Sequence, residues 1–248
     1  LVIKKLSAHL PAMGRPSRRL LSVAAAALIL MAYSAKTMAR NDEWKEGVSI
    51  SESILKVSPL NPWALTSLGL AQFSRKDYDT AVTTLNKAIA ISPDYAAARN
   101  ALGFCYAEMK RYEQARVELE LAVKLDPGNV EIHNSLGVVY AELKRYEDAE
   151  RQFGIIIEKK ALFVSAYLNL GNVYEMQGEH EKAWAEYEKA VLRSREKAET
   201  AVAHIRIGDV LRKMGKPVDA RASYEKALAI SGGKLREIDS VVAERMKG

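Results

Sequence analysis

The side chains that could carry chemistry are few and scattered. His9, His133, His180 and His204 have no second ligand three or four positions away, the spacing a helical zinc pair requires. Cys105 is the only cysteine, so no intrachain disulfide can form, and it sits where a small packed residue belongs. Glu118 and Glu120 are paired carboxylates, but on a stretch whose pattern makes them a solvated helix face. There is no glycine-rich phosphate loop, no nucleophile elbow and no linked Ser/His/Asp set. The residues point away from an enzyme, a metal site or a cofactor and toward binding.

Any binding surface must be positioned by the elements beneath it, and these repeat. Gly69, Gly103, Gly137 and Gly171 are each 34 residues apart, and Gly208 follows after 37. Ala81, Ala115, Ala149, Ala183 and Ala220 keep the same spacings. Leu68, Leu102, Leu136, Leu170 and Ile207 precede the glycines, and Tyr106, Tyr140 and Tyr174 follow theirs by three. Ala88, Ala122, Ala190 and Ala227 lie seven beyond the alanine series, and Pro93 and Pro127 close the first two units. The extra residues before Gly208 fit a loop near Lys197 to Thr200.

Apolar positions recur at three and four, as in SLGLAQF and TAVTTLNKAIAI, so each unit is two helices. Gly and Ala stand where the paired backbones should cross too closely for a larger side chain. Proline stops the second helix. One pair cannot bury its own apolar face, so the pairs must stack into a superhelix with a concave side. The fold expected is all-α.

These positions resemble the tetratricopeptide-repeat family, whose motif has Leu-Gly, Tyr three residues on, then Ala, an aromatic, Ala and Pro. The match covers residues 62–234 as five units, 62–95, 96–129, 130–163, 164–200 and 201–234; Ile156, Ala161 and Leu211 depart from the motif. The resemblance implies a right-handed superhelical solenoid that binds a protein or peptide ligand along the inner face of its first helices. The phase assigns Trp63, Leu70, Phe73, Asn100, Phe104, Asn134 and Val138 to that groove in units one to three, and Asn169, Asn172, Glu175, Arg206, Asp209 and Arg212 in units four and five. An apolar anchor would sit near the N-terminal end and a hydrogen-bonding segment further on; Leu70, Phe73 and Phe104 would equally serve to pack one repeat on the next. Some relatives clamp a C-terminal carboxylate. Here Asn169 and Arg206 match that clamp, but Val138 and Val202 stand where Asn and Lys are needed.

The flanks differ. The net charge is +6, but residues 1–40 hold seven Lys/Arg and no acid, leaving 30 bases against 31 acids in the body. That body lacks the basic face of a nucleic-acid binder. After a basic segment, 1–19, Leu20–Ala35 runs sixteen residues without a charge, and 20–39 reads as a transmembrane helix or signal anchor, or as a cleaved signal peptide. The charge asymmetry puts the repeats outside a bacterial inner membrane, in the periplasm; a cleaved segment would leave a secreted periplasmic protein. Residues 41–61 are in phase with a second helix, Trp44, Gly47 and Pro59 lying 34 before Tyr78, Ala81 and Pro93, so the apolar segment would be its first-helix partner. Residues 235–248 would form a capping helix with Leu235, Ile238, Val242 and Met246 on one face.

The junction, from the apolar segment through Arg40-Asn41-Asp42-Glu43-Trp44 to Ser58-Pro59, resembles bacterial polytopic membrane proteins of the glycosyltransferase type with a C-terminal repeat tail. That resemblance implies membrane spans and catalytic acids upstream. The functions expected are thus a membrane-anchored, non-catalytic scaffold or such a tail.

Overall fold

The computed structural model describes residues 49–232 and 236–246. The segments 1–19 and 20–39 lie outside the described residues, and so does the expected anchor. The chain divides into two compact units, Leu1–Pro59 and Leu60–Gly248. In the first, residues 49–57 are helical and form the described part of α1.

The second unit is a series of antiparallel helix pairs: α2 (Pro62–Ser74) with α3 (Tyr78–Ile91), α4 (Ala96–Glu108) with α5 (Tyr112–Leu125), α6 (Val130–Glu142) with α7 (Tyr146–Lys159), α8 (Val164–Gln177) with α9 (His180–Arg193), and α10 (Lys197–Lys213) with α11 (Pro217–Ser231). A last helix, α12 (Arg236–Arg245), follows. No strand occurs among the described residues.

Local chemistry sets the boundaries. Asn61 caps α2 by accepting from the Ala64 N–H at 3.0 Å, with Pro62 at the first helical position, where its missing N–H costs nothing. Asn129 caps α6 through the N–H groups of Glu131 and Ile132. Each turn from first to second helix needs one residue at positive φ. Gly178 and Gly215 supply it in the last two pairs, but Lys76, Lys110 and Lys144 hold it in the first three, at φ of 66°, 59° and 59°. The N–H groups of Asp77, Arg111 and Arg145 then bond back to the carbonyls of Gln72, Tyr106 and Tyr140, closing the helix end.

The three extra residues of the fourth interval do not form a loop. Lys197–Lys213 is one helix of 17 residues, so Lys197–Thr200 add a turn to the start of α10. The run Lys-Ala-Glu-Thr-Ala holds no Pro or Gly to stop it, and the chain turns at Ser194–Glu196 instead.

Within each pair the contact at the glycine differs from a plain backbone crossing. A Cβ on Gly69, Gly103, Gly137, Gly171 or Gly208 would strike the side chain of Leu85, Leu119, Phe153, Tyr187 or Tyr224, each 16 residues on, at 2.3 to 2.7 Å. The backbone comes next, Ala81 O lying 3.4 Å from such a Cβ at Gly69. The glycine therefore makes room mainly for a large side chain of the second helix. The alanines behave as expected: Ala81, Ala115, Ala149 and Ala183 are fully buried.

Stacking explains the curvature. Each second helix packs on the next first helix, and consecutive first helices touch, α2 on α4, α4 on α6, α6 on α8 and α8 on α10. Among the described residues no two second helices approach closely by backbone. Units that meet on one side and splay on the other are wedges, and wedges stacked in series put the first helices on the concave face. At the C-terminal end α12 packs on α11 and α10, where another first helix would lie, and buries Val242 completely. Met246 of the same expected face is exposed, while Leu235 and Ile238 lie outside the described side chains.

Candidate functional site

The concave face is built from side chains one turn apart on α2, α4, α6, α8 and α10. Its N-terminal part is apolar and open. Trp63 is 50% exposed, Phe104 43% and Val138 39%. Leu70 and Phe73 are partly buried, packed against Leu85, Ala101, Leu102 and Cys105 of the adjoining helices. The Phe73 ring contacts Tyr78 at 5.0 Å and meets Phe104 edge-on at 5.9 Å, so it braces Phe104 from behind. Of these aromatics, Phe73 packs between repeats, and the Phe104 ring stays exposed.

Amides and charges beyond Phe104 are mostly engaged within the chain. Asn169 Nδ2 donates to Asn134 Oδ1 at 2.9 Å across adjacent first helices. Asn100 holds the repeat position of Asn134, but the residue that corresponds to Asn169 is Ser135, whose hydroxyl turns back to Glu131 O. Asn100 Oδ1 is consequently buried without a hydrogen-bond partner, one turn from Phe104.

Asn172 accepts from the Tyr187 hydroxyl at 2.7 Å, and Asp209 from the Tyr224 hydroxyl at 2.8 Å. Asp209 is also ion-paired to Arg245 Nε of α12 at 2.8 Å. Glu175 pairs with Lys213 at 3.2 Å, leaving its buried Oε1 without a partner. Arg212 donates to the Arg245 carbonyl at 3.5 Å. Arg206 alone of the expected charged set is exposed without a hydrogen bond or ion pair among the described residues. The charged end of the groove is thus largely neutralised from inside, and α12 takes part of it. Lys213 and Arg245 were not among the expected groove residues. Val202 is missing from that set as well; it is 37% exposed at the repeat position of Trp63, which the spacing could have shown.

The titratable groups shifted most are ones packed between helices. Burial pushes the Cys105 thiol up to about 12, far from a reactive thiolate. Burial, with Glu120 close by, pushes Tyr140 up to about 12; burial and Glu150 do the same to Tyr174. These tyrosines donate to Glu120 at 2.9 Å and to Glu150 at 3.1 Å, each a carboxylate of the preceding second helix, and so join one repeat to the next. His133 is buried between Gln152 Oε1 and the Pro127 carbonyl, which its ring nitrogens meet at 2.7 and 3.2 Å. Among the described residues no three His, Cys, Asp or Glu side chains gather as metal ligands.

Four sequence models of the tetratricopeptide repeat match this chain, at residues 40–96, 72–124, 105–144 and 162–231. The chain belongs to the tetratricopeptide-repeat family. Together the matches run from before α1 to the end of α11. No curated protein sequence matches. Among solved structures of tetratricopeptide-repeat proteins, MamA is 25% identical, with a TM-score of 0.59, covering 68% of this chain and 97% of that one. A tetratricopeptide-repeat protein of Parabacteroides merdae has a TM-score of 0.63 at 18% identity, covering 84% and 80%. YrrB, a tetratricopeptide-repeat protein with an unusual peptide-binding site, has a TM-score of 0.56 at 17% identity, covering 79% and 97%. At these low identities the last two establish the tetratricopeptide-repeat fold alone.

Proposed function

We propose that this protein is a non-catalytic scaffold whose first-helix groove holds an extended or helical segment of a partner protein. The observation that carries the reading is the exposed Phe104 ring, braced by Phe73 and set one turn from Asn100, whose amide oxygen has no hydrogen-bond partner among the described residues. An apolar anchor of this kind is what a peptide side chain packs on, and Asn100, whose amide oxygen is buried as it stands, could accept from the peptide backbone only by turning its side chain toward the groove. YrrB, a protein of the same fold, has a peptide-binding site, which supports a peptide as the kind of ligand. The test is a pull-down with Phe104→Ala and Asn100→Ala in the full chain. Loss of the captured partner with an unchanged circular dichroism spectrum supports the groove, and retained capture rules it out.

A second reading concerns where the scaffold works. The uncharged run Leu20–Ala35, preceded by Arg15, Arg18 and Arg19, favours an array held at a bacterial inner membrane with its repeats on the periplasmic side. Among the described residues no helix is long and apolar enough to cross a membrane, and residues 20–39 are outside them. Alkaline extraction of isolated membranes tests the reading: a chain that stays with the lipid is anchored, and one released with the soluble fraction is not. The glycosyltransferase-type tail is the form this reading takes when further spans are encoded upstream.

A further inference from the structure

In the second, third and fifth pairs the first-helix residue four before the repeat glycine faces the gap between its own second helix and the preceding one. Arg99 and His133 show what the position asks for. Arg99 donates to Glu118 of its own second helix at 2.9 Å and to the Pro93 carbonyl, six residues back, at 3.0 Å. His133 meets Gln152 and the Pro127 carbonyl in the same way, at 2.7 and 3.2 Å. One partner thus lies 19 residues on, and the other belongs to the loop that closes the preceding pair.

His204 holds this position in the last pair and has neither partner. Six residues back is Ala198, inside the turn that lengthens α10, so its carbonyl belongs to the helix ladder. Nineteen residues on is Ser223, whose hydroxyl donates to Asp219 O of its own helix at 3.1 Å. The His204 Nδ1 is left buried without a hydrogen-bond partner. The charges that act on the ring come from the two walls of the gap, Glu188 from α9 and Lys226 from α11. Its own helix sets only Thr200, Ala201, Ile207 and Gly208 beside it. The charges of α8 and α12 meet α10 on the groove side instead, Glu175 with Lys213 and Arg245 with Asp209. The walls themselves do not approach by backbone. Lys216 bridges them, its ammonium 6.0 Å from the centre of the Trp184 ring.

We propose that His204 is a proton-sensitive joint: when its ring takes up a proton, the gap between α9 and α11 widens and the fifth helix pair tilts away from the fourth. A protonated imidazole carries a charge and two N–H donors, and here one of the donors is buried with no acceptor. Burial and Lys226 oppose the charge, and Glu188, which favours it, already accepts from the Trp184 indole at 3.3 Å. The opposing influences prevail, for the pKa is held below its ordinary 6.5. Water is the remaining source of partners, and the gap can admit it without breaking any backbone contact between α9 and α11. Because α8 and α10 stay in contact on the other side, opening the gap sharpens the bend of the concave wall between Asn172 and Arg206. The three inserted residues are what convert a satisfied structural position into a titratable one.

The test is a pair of distances between spin labels, measured by pulsed electron resonance on the full chain carrying Cys105→Ala. Leu192→Cys with Ala229→Cys places labels at one exposed repeat position on α9 and α11. Glu158→Cys with Leu192→Cys does the same across α7 and α9, where Tyr167 stands in place of the histidine. Between about pH 7.5 and about pH 5 the first distance should lengthen and the second stay fixed, and His204→Gln should abolish the change. No lengthening, an equal change across α7 and α9, or a change that survives His204→Gln overturns the proposal. Two surface variants stand beside these in case His204→Gln does not fold. Lys226→Gln should move the midpoint of the change to higher pH and Glu188→Gln to lower pH, and a midpoint that neither variant moves overturns the proposal too. None of these readouts involves a ligand, so their failure leaves the scaffold reading intact.

Discussion

The Tyr187 ring closes over Gly171 so tightly that a Cβ on the glycine would stand 2.3 Å from Cε1 of the tyrosine. Its hydroxyl then reaches past to Asn172, tying two adjacent residues of α8 to one residue of α9. Packing and hydrogen bonding at this point are one unit.

Gly171→Ala should therefore destabilise the protein by about 1–3 kcal/mol, the usual cost of overpacking a fixed contact. In a Tyr187→Ser background the added methyl has room, and the same substitution should cost much less. Urea unfolding of the two single variants and the double variant checks this. Additive effects would mean that the cost of the methyl does not come from the Tyr187 ring.

Phe73 and Phe104 should part company. Phe73→Ala removes a ring packed among Leu85, Leu102 and Tyr78 and should cost about 1–3 kcal/mol of stability, less than for a fully buried ring. Phe104→Ala should change the melting temperature little and reduce partner capture. Thermal melts run beside the pull-down separate the two.

Lys76→Gly, Lys110→Gly and Lys144→Gly should each stabilise the array, by up to about 1 kcal/mol. A side chain at positive φ is strained, and the relief exceeds the added freedom of the unfolded glycine. Gly178→Lys, the reverse change at the same repeat position, should do the opposite. Chemical denaturation midpoints measure both.

Burial, helped by the Lys226 charge and opposed by Glu188, holds the His204 pKa below its ordinary 6.5. The unfolded chain takes up this proton more readily than the folded one. The contribution is therefore full above the unfolded pKa and declines as the pH falls below it. Comparing melting temperatures at about pH 7.5 and about pH 5 should show a smaller loss for His204→Gln than for the parent chain. An equal loss in both assigns the acid sensitivity to other groups.

Much of the fold is legible because the glycine and alanine columns and the tyrosines after them recur in phase, and repeating contacts leave repeating letters. The curvature follows from the same register, since it decides which helices touch. Less of the groove could be read. Asn172 and Asp209 look available by phase, but each is held by a tyrosine 15 residues on, in its own second helix. That spacing is visible once Tyr187 and Tyr224 are known to point inward. Arg245 is a different matter: it reaches Asp209 from α12, which stands outside the repeat, so no periodicity announces it. The start of α10 misleads because an inserted turn and an inserted loop both add three residues to a period.

Second helices whose backbones stay apart from one another give the array a one-sided stiffness. Its continuous line of backbone contacts runs along the concave wall, while on the convex side the second helices are joined to one another by side chains at most, such as Lys216 over Trp184. A partner segment lying across several first helices would act as a splint on the wall that sets the bend, so occupancy of the groove would be felt as rigidity along the length of the array.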